Sequence, residues 1–196
     1  MKSKLLPLLL IIGGLLIAWF GGGEKIMSSR QKVETSLAEA HEIVNSKDNS
    51  SNNVANDQSA AQKKFNTGDT IGLLIIPKIE AELPIVEGTD PDDLEKGVGH
   101  YKESSYPDEG GQIVLSGHRD TVFRHTGELE VGDKLTISLS YGSFEYKITH
   151  TKIVDKADKA VITLQRKKEE LILTTCYPFS YIGNAPDRYI IYAEPS

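Results

Sequence analysis

From Thr67 to Ser196 the apolar residues arrive in short runs, each closed by a turn residue, and this punctuation restricts the fold most. Ile71–Ile76 and Leu83–Val86 are interrupted by Pro77 and Pro84. Gln112–Leu115 follows Gly110-Gly111, and Lys134–Leu139 follows Gly132-Asp133. Tyr141-Gly142-Ser143 then turns the chain into Phe144–Val154, which predicts a hairpin, and Leu171–Thr175 and Tyr189–Ala193 complete the series. About eight short β-type runs with few helical stretches predict an all-β barrel or sandwich. One short helix is expected over Pro91–Gly97. Asp90 can cap it, Pro91 suits its first position, and Asp92 and Asp93 complement its dipole. The same acidic cluster is the one place where calcium could be read in. Capping already accounts for it, so no metal or other cofactor is expected.

The residues before this domain obey other rules. Leu5 to Phe20 is almost wholly apolar, follows Lys2 and Lys4, and is extended by Gly21, Gly22 and Gly23. Such a run approaches the ~20 residues needed to cross a bilayer and exceeds the ~7–15 of a signal-peptide core. The expectation is a single-pass signal anchor at 5–23, a cytoplasmic stub at 1–4 and everything after it outside the cell membrane. Residues 24–44 carry Ile26, Val33, Leu37, Ala40 and Val44 at helical spacing without Pro or Gly. They are expected to form a juxtamembrane helix that continues the anchor as a stalk, with His41 on it out of reach of the domain. Residues 45–66, rich in Asn, Ser, Asp, Gln and Ala, read as a flexible linker. The catalytic or binding unit is then 67–196.

Net charge is -6 and falls unevenly: residues 67–196 hold 22 Asp/Glu against 14 Lys/Arg. An acidic domain excludes a nucleic-acid backbone as partner, because that binding needs clustered cations.

One cysteine is present, Cys176, at the end of the run Leu171-Ile172-Leu173-Thr174-Thr175 and just before Tyr177-Pro178. Outside the membrane a lone thiol can form no internal disulfide and is open to oxidation, so its retention points to use of the sulfur. Burial as a small hydrophobe is the other reading, and the residue alone leaves the two equally open. Thiol catalysis needs a thiolate, a proton carrier and donors for a developing oxyanion. His118 follows Ile113-Val114-Leu115-Ser116-Gly117 at another strand end and is the candidate proton carrier. Arg188, at the start of the last strand, offers several fixed donors, with a surface pair to Asp187 as its alternative.

Three ordered motifs now meet. Leu173-Thr174-Thr175-Cys176-Tyr177-Pro178-Phe179 with Ala185-Pro186-Asp187-Arg188-Tyr189-Ile190-Ile191 resembles the active-site signature of the sortases. Gly117-His118-Arg119-Asp120-Thr121 resembles the family's histidine segment, and Gly72-Leu73-x-Ile75-x-Pro77-x-Ile79 its first strands. The Tyr-Pro-Phe after the cysteine is most similar to class D sortases, and the resemblance spans residues 67–194.

The resemblance implies a closed eight-stranded sortase-type β-barrel with one or two short helices, preceded by a transmembrane helix and stalk. It implies a Gram-positive, membrane-anchored cysteine transpeptidase that cleaves an LPxTG-like sorting signal after Thr. Cys176 would carry the thioester acyl-enzyme and His118 would act as general acid/base. Arg188 would hold the oxyanion and position substrate. A lipid-linked peptidoglycan precursor amine would accept the acyl group. Thr175 becomes a candidate substrate or oxyanion contact. Ile172, standing where the family often has Thr, is a second candidate beside it. Two other readings stay open: an extracytoplasmic cysteine protease, and a non-catalytic membrane-tethered binding domain. The papain-like order of Cys before His is reversed here.

Overall fold

The computed structural model describes residues 27–46, 65–181 and 183–196. The anchor expected at 5–23 and residues 47–64 of the expected linker lie outside the described residues. Among the described residues no helix is long and apolar enough to cross a membrane.

Eight strands form the domain: β1 Thr70–Ile76, β2 Ala81–Glu87, β3 Val98–His100, β4 Gln112–Ser116, β5 Lys134–Leu139, β6 Gly142–Asp155, β7 Glu170–Tyr177 and β8 Asp187–Pro195. They close in the order β1-β2-β3-β4-β7-β8-β6-β5. Closure removes every sheet edge, and period-2 alternation sends one face of each strand inward. Leu74, Ile85, Ile113, Ile137, Leu171 and Ile191 are each at most 2% exposed and meet in the interior. Pairing is antiparallel except for β2 with β3 and β4 with β7. The β4–β7 pair is the consequential one, because both strands run out at the same rim.

Pro84 fits within β2 because pairing to β3 begins only at Ile85, so the first half of β2 has a free side where a missing N–H costs nothing. The helix expected over Pro91–Gly97 is a single turn, α2, at Pro91–Leu94. Asp90 is its N-cap, as expected, and Asp93, expected only to complement the dipole, also accepts from the Asp90 amide through Oδ2 at 3.2 Å, the reciprocal half of a capping box. The turn stops early because Val98 must pair with Ile85 in β3.

Residues 27–46 form helix α1. It is no free stalk: it lies on the barrel. Thr70 Oγ1 donates to Glu39 at 2.8 Å, Lys32 pairs with Glu95, and His41 Nε2 lies 3.3 Å from Glu82. His41 therefore does reach the domain, contrary to expectation. Ala40 is 0% and Ser36 4% exposed. Leu73, whose register neighbours are Pro84 and Ser138, alternates with the interior residue Leu74 and so faces outward, yet it is 2% exposed. α1, hydrogen-bonded to Thr70 of β1 and set beside Glu82 of β2, is the element placed to cover this face. A stripe that would waste its burial on a solvated stalk gains it here.

Candidate active site

At the rim where β4 and β7 end, their parallel register aligns Ser116 with Thr174. The ladder persists one residue further, since the Gly117 amide donates to Thr174 O at 3.1 Å. His118 follows Gly117 directly, so it leaves β4 at the same rim where β7 carries Cys176, two residues past Thr174. On the other side of β7, Cys176 is the Cα partner of Arg188 in β8. His118, Cys176 and Arg188 thus gather at one rim of the barrel, Cys176 and Arg188 as cross-strand partners and His118 in the turn that follows β4. Cross-strand partners such as Cys176 and Arg188 sit about 5 Å apart and share a face. Cys176 is half-buried and unbonded to another cysteine. His118 is exposed, and its ring makes no hydrogen bond among the described residues.

Gly117 makes this approach feasible. A Cβ there would lie 2.6 Å from the Phe123 ring, which packs beneath the turn that presents His118. That turn is closed by Phe123 N–H donating to His118 O at 3.0 Å. Phe123 is 1% exposed, so the turn is pinned into the core from below.

Arg188 is half-buried and donates through Nη1 to the backbone carbonyls of Asp187 (2.9 Å) and Ala185 (3.4 Å). It makes no ion pair with the Asp187 carboxylate among the described residues, which removes the surface-pair alternative. Nε and Nη2 have no hydrogen-bond partner among the described residues. Charged donors fixed beside a half-buried thiol can stabilise a developing oxyanion.

The two accompanying candidates fall elsewhere. Thr175 is 5% exposed and faces the interior, where its hydroxyl donates to Gly117 O at 2.7 Å. The hydroxyl is committed to tying β7 to the start of the His118 turn and is not offered to substrate. Ile172 is 0% exposed and packs with Val154, Val161 and Ile190 beneath the β6–β7 connection. It shares the outer face of β7 with Cys176, but it is sealed over. Gln112 holds that cover down, donating to Val161 O and accepting from the Thr163 and Leu164 amides. Among the other histidines, His125 bonds Glu128 on the surface and His150 stacks on Tyr192. His100 is locked in the opposite end of the barrel, 2.8 Å from Glu87.

An aromatic cluster at this rim was not singled out from the sequence. Tyr177, Phe179 and Tyr189 form a mutually packed aromatic cluster, with centroid separations of 5.5–6.1 Å. Tyr177-Pro178-Phe179 was legible as a motif, but only the fold brings Tyr189 across from β8 to complete it. The Tyr177–Pro178 peptide is cis.

A family model for the sortase domain matches residues 74–196. The chain is also 60% identical to sortase D of Bacillus subtilis over 98% of both chains. The chain belongs to the sortase family. Sortases are cysteine transpeptidases, and this chain contains one cysteine, Cys176. Among solved structures it is similar to a sortase D5 transpeptidase of Clostridium perfringens, with a TM-score of 0.69 at 26% identity, covering 85% of this chain and 99% of that one. It is also similar to a Clostridium perfringens sortase C described with its C-terminal cell wall sorting motif, with a TM-score of 0.62 at 25% identity, covering 85% of this chain and 88% of that one. The closed eight-stranded barrel expected from the sequence is the barrel these sortases share.

Proposed function

We propose that this sortase cleaves an LPxTG-like sorting signal after Thr and transfers the acyl group from Cys176 to a cell-wall precursor amine. The observation that supports the reading is the gathering of His118, Cys176 and Arg188 at the rim where β4 and β7 end and β8 begins. The Cys176 thiolate attacks the Thr carbonyl carbon, and charge builds on the oxygen. The Nε and Nη2 donors of Arg188 take that charge. The C–N bond breaks as His118 delivers a proton to the leaving amine, which leaves a thioester. An incoming amine gives its proton to His118, attacks the thioester carbon and expels the thiolate. The half-open position of Cys176 suits this exchange, since two different amines must reach the same carbon.

The apolar run at 5–23, read as a single-pass anchor, would keep the barrel outside the cell membrane beside lipid-linked acceptor. The Clostridium perfringens sortase C described with the C-terminal cell wall sorting motif supports the same substrate class here.

The test uses the full-length protein in detergent micelles with an LPxTG-type peptide, with and without added amine. Ligation product that depends on both the amine and Cys176 is expected, and Cys176→Ala should abolish it while leaving the fold intact. Cleavage by water alone, undiminished by amine, would instead indicate a protease. Absence of Cys176-dependent turnover would indicate a binding domain.

A further inference from the structure

The β4–β7 ladder ends at Gly117 and Thr174, yet the segments leaving those strands remain clasped. Arg119 reaches from the His118 turn to the β7–β8 connection, where its Nη2 donates to Tyr181 O at 2.7 Å and to Gly183 O at 2.8 Å. Its guanidinium carbon lies 6.0 Å from the centre of the Tyr181 ring, within range of a cation–π contact. A second, apolar contact lies nearby. The Phe179 ring packs so closely on Gly127 that a Cβ at 127 would come within 2.7 Å of it. The 118–129 segment and the 178–186 connection are therefore joined at two points by different chemistry.

Backbone pairing fixes Cys176 against Arg188, but it does not fix His118, which lies one residue beyond the last ladder bond. His118 is held on one side by Gly117. On the other side stands Arg119, and Arg119 is held by the connection. From this geometry we infer that Arg119 is a positioning residue for transpeptidation: its grip on Tyr181 O and Gly183 O sets His118 over Cys176. The inference rests on the proposed roles of His118 and Cys176. It assigns Arg119 no contact with substrate. Its effect passes through the placement of a neighbouring ring, where a misplacement of about 1 Å can cost ~10²-fold in rate.

Arg119→Met keeps the long apolar stem and removes every donor. Arg119→Lys keeps donors on a side chain one bond shorter. Both are compared with wild type, full-length in detergent, for kcat and KM on one sorting peptide. Melting temperature and amide exchange across 178–186 are followed alongside. Arg119→Met should lose ~10-fold or more in kcat with a much smaller change in KM. It should exchange faster at 178–186 alone, with the melting temperature nearly kept. Arg119→Lys should lie between Met and wild type in both kcat and exchange. Wild-type kcat and exchange in Arg119→Met would overturn the inference. So would faster exchange throughout the barrel with a lowered melting temperature, because that is the signature of a scaffold residue. A wild-type protein that fails to ligate at all sinks the transpeptidase reading and this inference with it. That failure appears before any substitution is made, and is thereby told apart.

Discussion

Arg188 and Cys176 occupy partner positions on neighbouring strands, so whatever Arg188 does for the reaction it does at strand spacing from the sulfur. Its Nη1 is spent on the carbonyls of Asp187 and Ala185, which orients the fork and leaves the other nitrogens for substrate. A lysine would carry the charge but could not bond those carbonyls and an oxyanion through one planar group. Arg188→Lys should therefore lose nearly as much kcat/KM as Arg188→Ala, with melting temperature close to wild type in both. Near-full activity in the lysine variant would reduce the role to charge alone, and wild-type activity in both would remove Arg188 from the site. The same scale shows what the sequence could and could not give. Cys176, His118 and Arg188 stand out as candidates because each residue type has a distinct chemistry and ends or starts an apolar run. Thr175 was misread because a hydroxyl beside a reactive cysteine has two uses. Only the fold shows that Gly117 O has claimed it. Ile172 was misread because alternation tells which face a residue takes but not what covers that face.

Strands long enough to show period-2 alternation were readable, and the eight-stranded closure agrees with them. β3 was not: Val98-Gly99-His100 is three residues with a central glycine, below any pattern threshold, and it exists because β2 and β4 present edges on both sides. The α1 stripe was readable as amphipathic, but amphipathicity names no partner. The helix is tied to β1 and β2 through Thr70 and Glu82, and its Ala40 is fully buried. Burying a carboxylate there without a counter-charge is costly. Ala40→Glu should therefore undock α1 and speed amide exchange throughout 27–46, with the barrel strands still protected and the melting temperature lowered by several degrees. The exposed pairs at the margins, Lys32–Glu95 and His41–Glu82, should matter far less when removed singly. Unchanged exchange in α1 of the Ala40→Glu variant would mean that the helix is not held through this face.

Taken whole, the barrel separates its work by end. The rim carrying His118, Cys176 and Arg188 is open and half-exposed, whereas the opposite end is plugged by polar groups bound to one another. Tyr106 donates to Glu87 at 2.9 Å, Glu87 pairs with His100, Tyr146 donates to Glu169 at 2.6 Å, and Tyr141 reaches Pro107 O. Burial is the main force pushing the Tyr106, Tyr141 and Tyr146 phenols up from the ordinary value of 10.0, and carboxylates beside them push the same way: Glu87 for Tyr106, Glu169 for Tyr146, Glu109 and Asp108 for Tyr141. In the unfolded chain the phenols would begin to ionise near pH 10, while in the barrel they stay protonated well above it. Between those limits the folded state binds more protons, so stability is full below about pH 10 and declines as pH rises beyond it. The urea midpoint should therefore hold steady from pH 8 to 9 and drop by pH 11. Lysine deprotonation will also act in that range, and Tyr146→Phe separates the two. It removes one buried phenol and leaves Glu169 accepting from the Asp108 amide. Its midpoint should fall less between pH 9 and 11 than that of wild type, although it starts lower. An equal fall in the two proteins would show that the buried phenol at the closed end does not govern the alkaline limit.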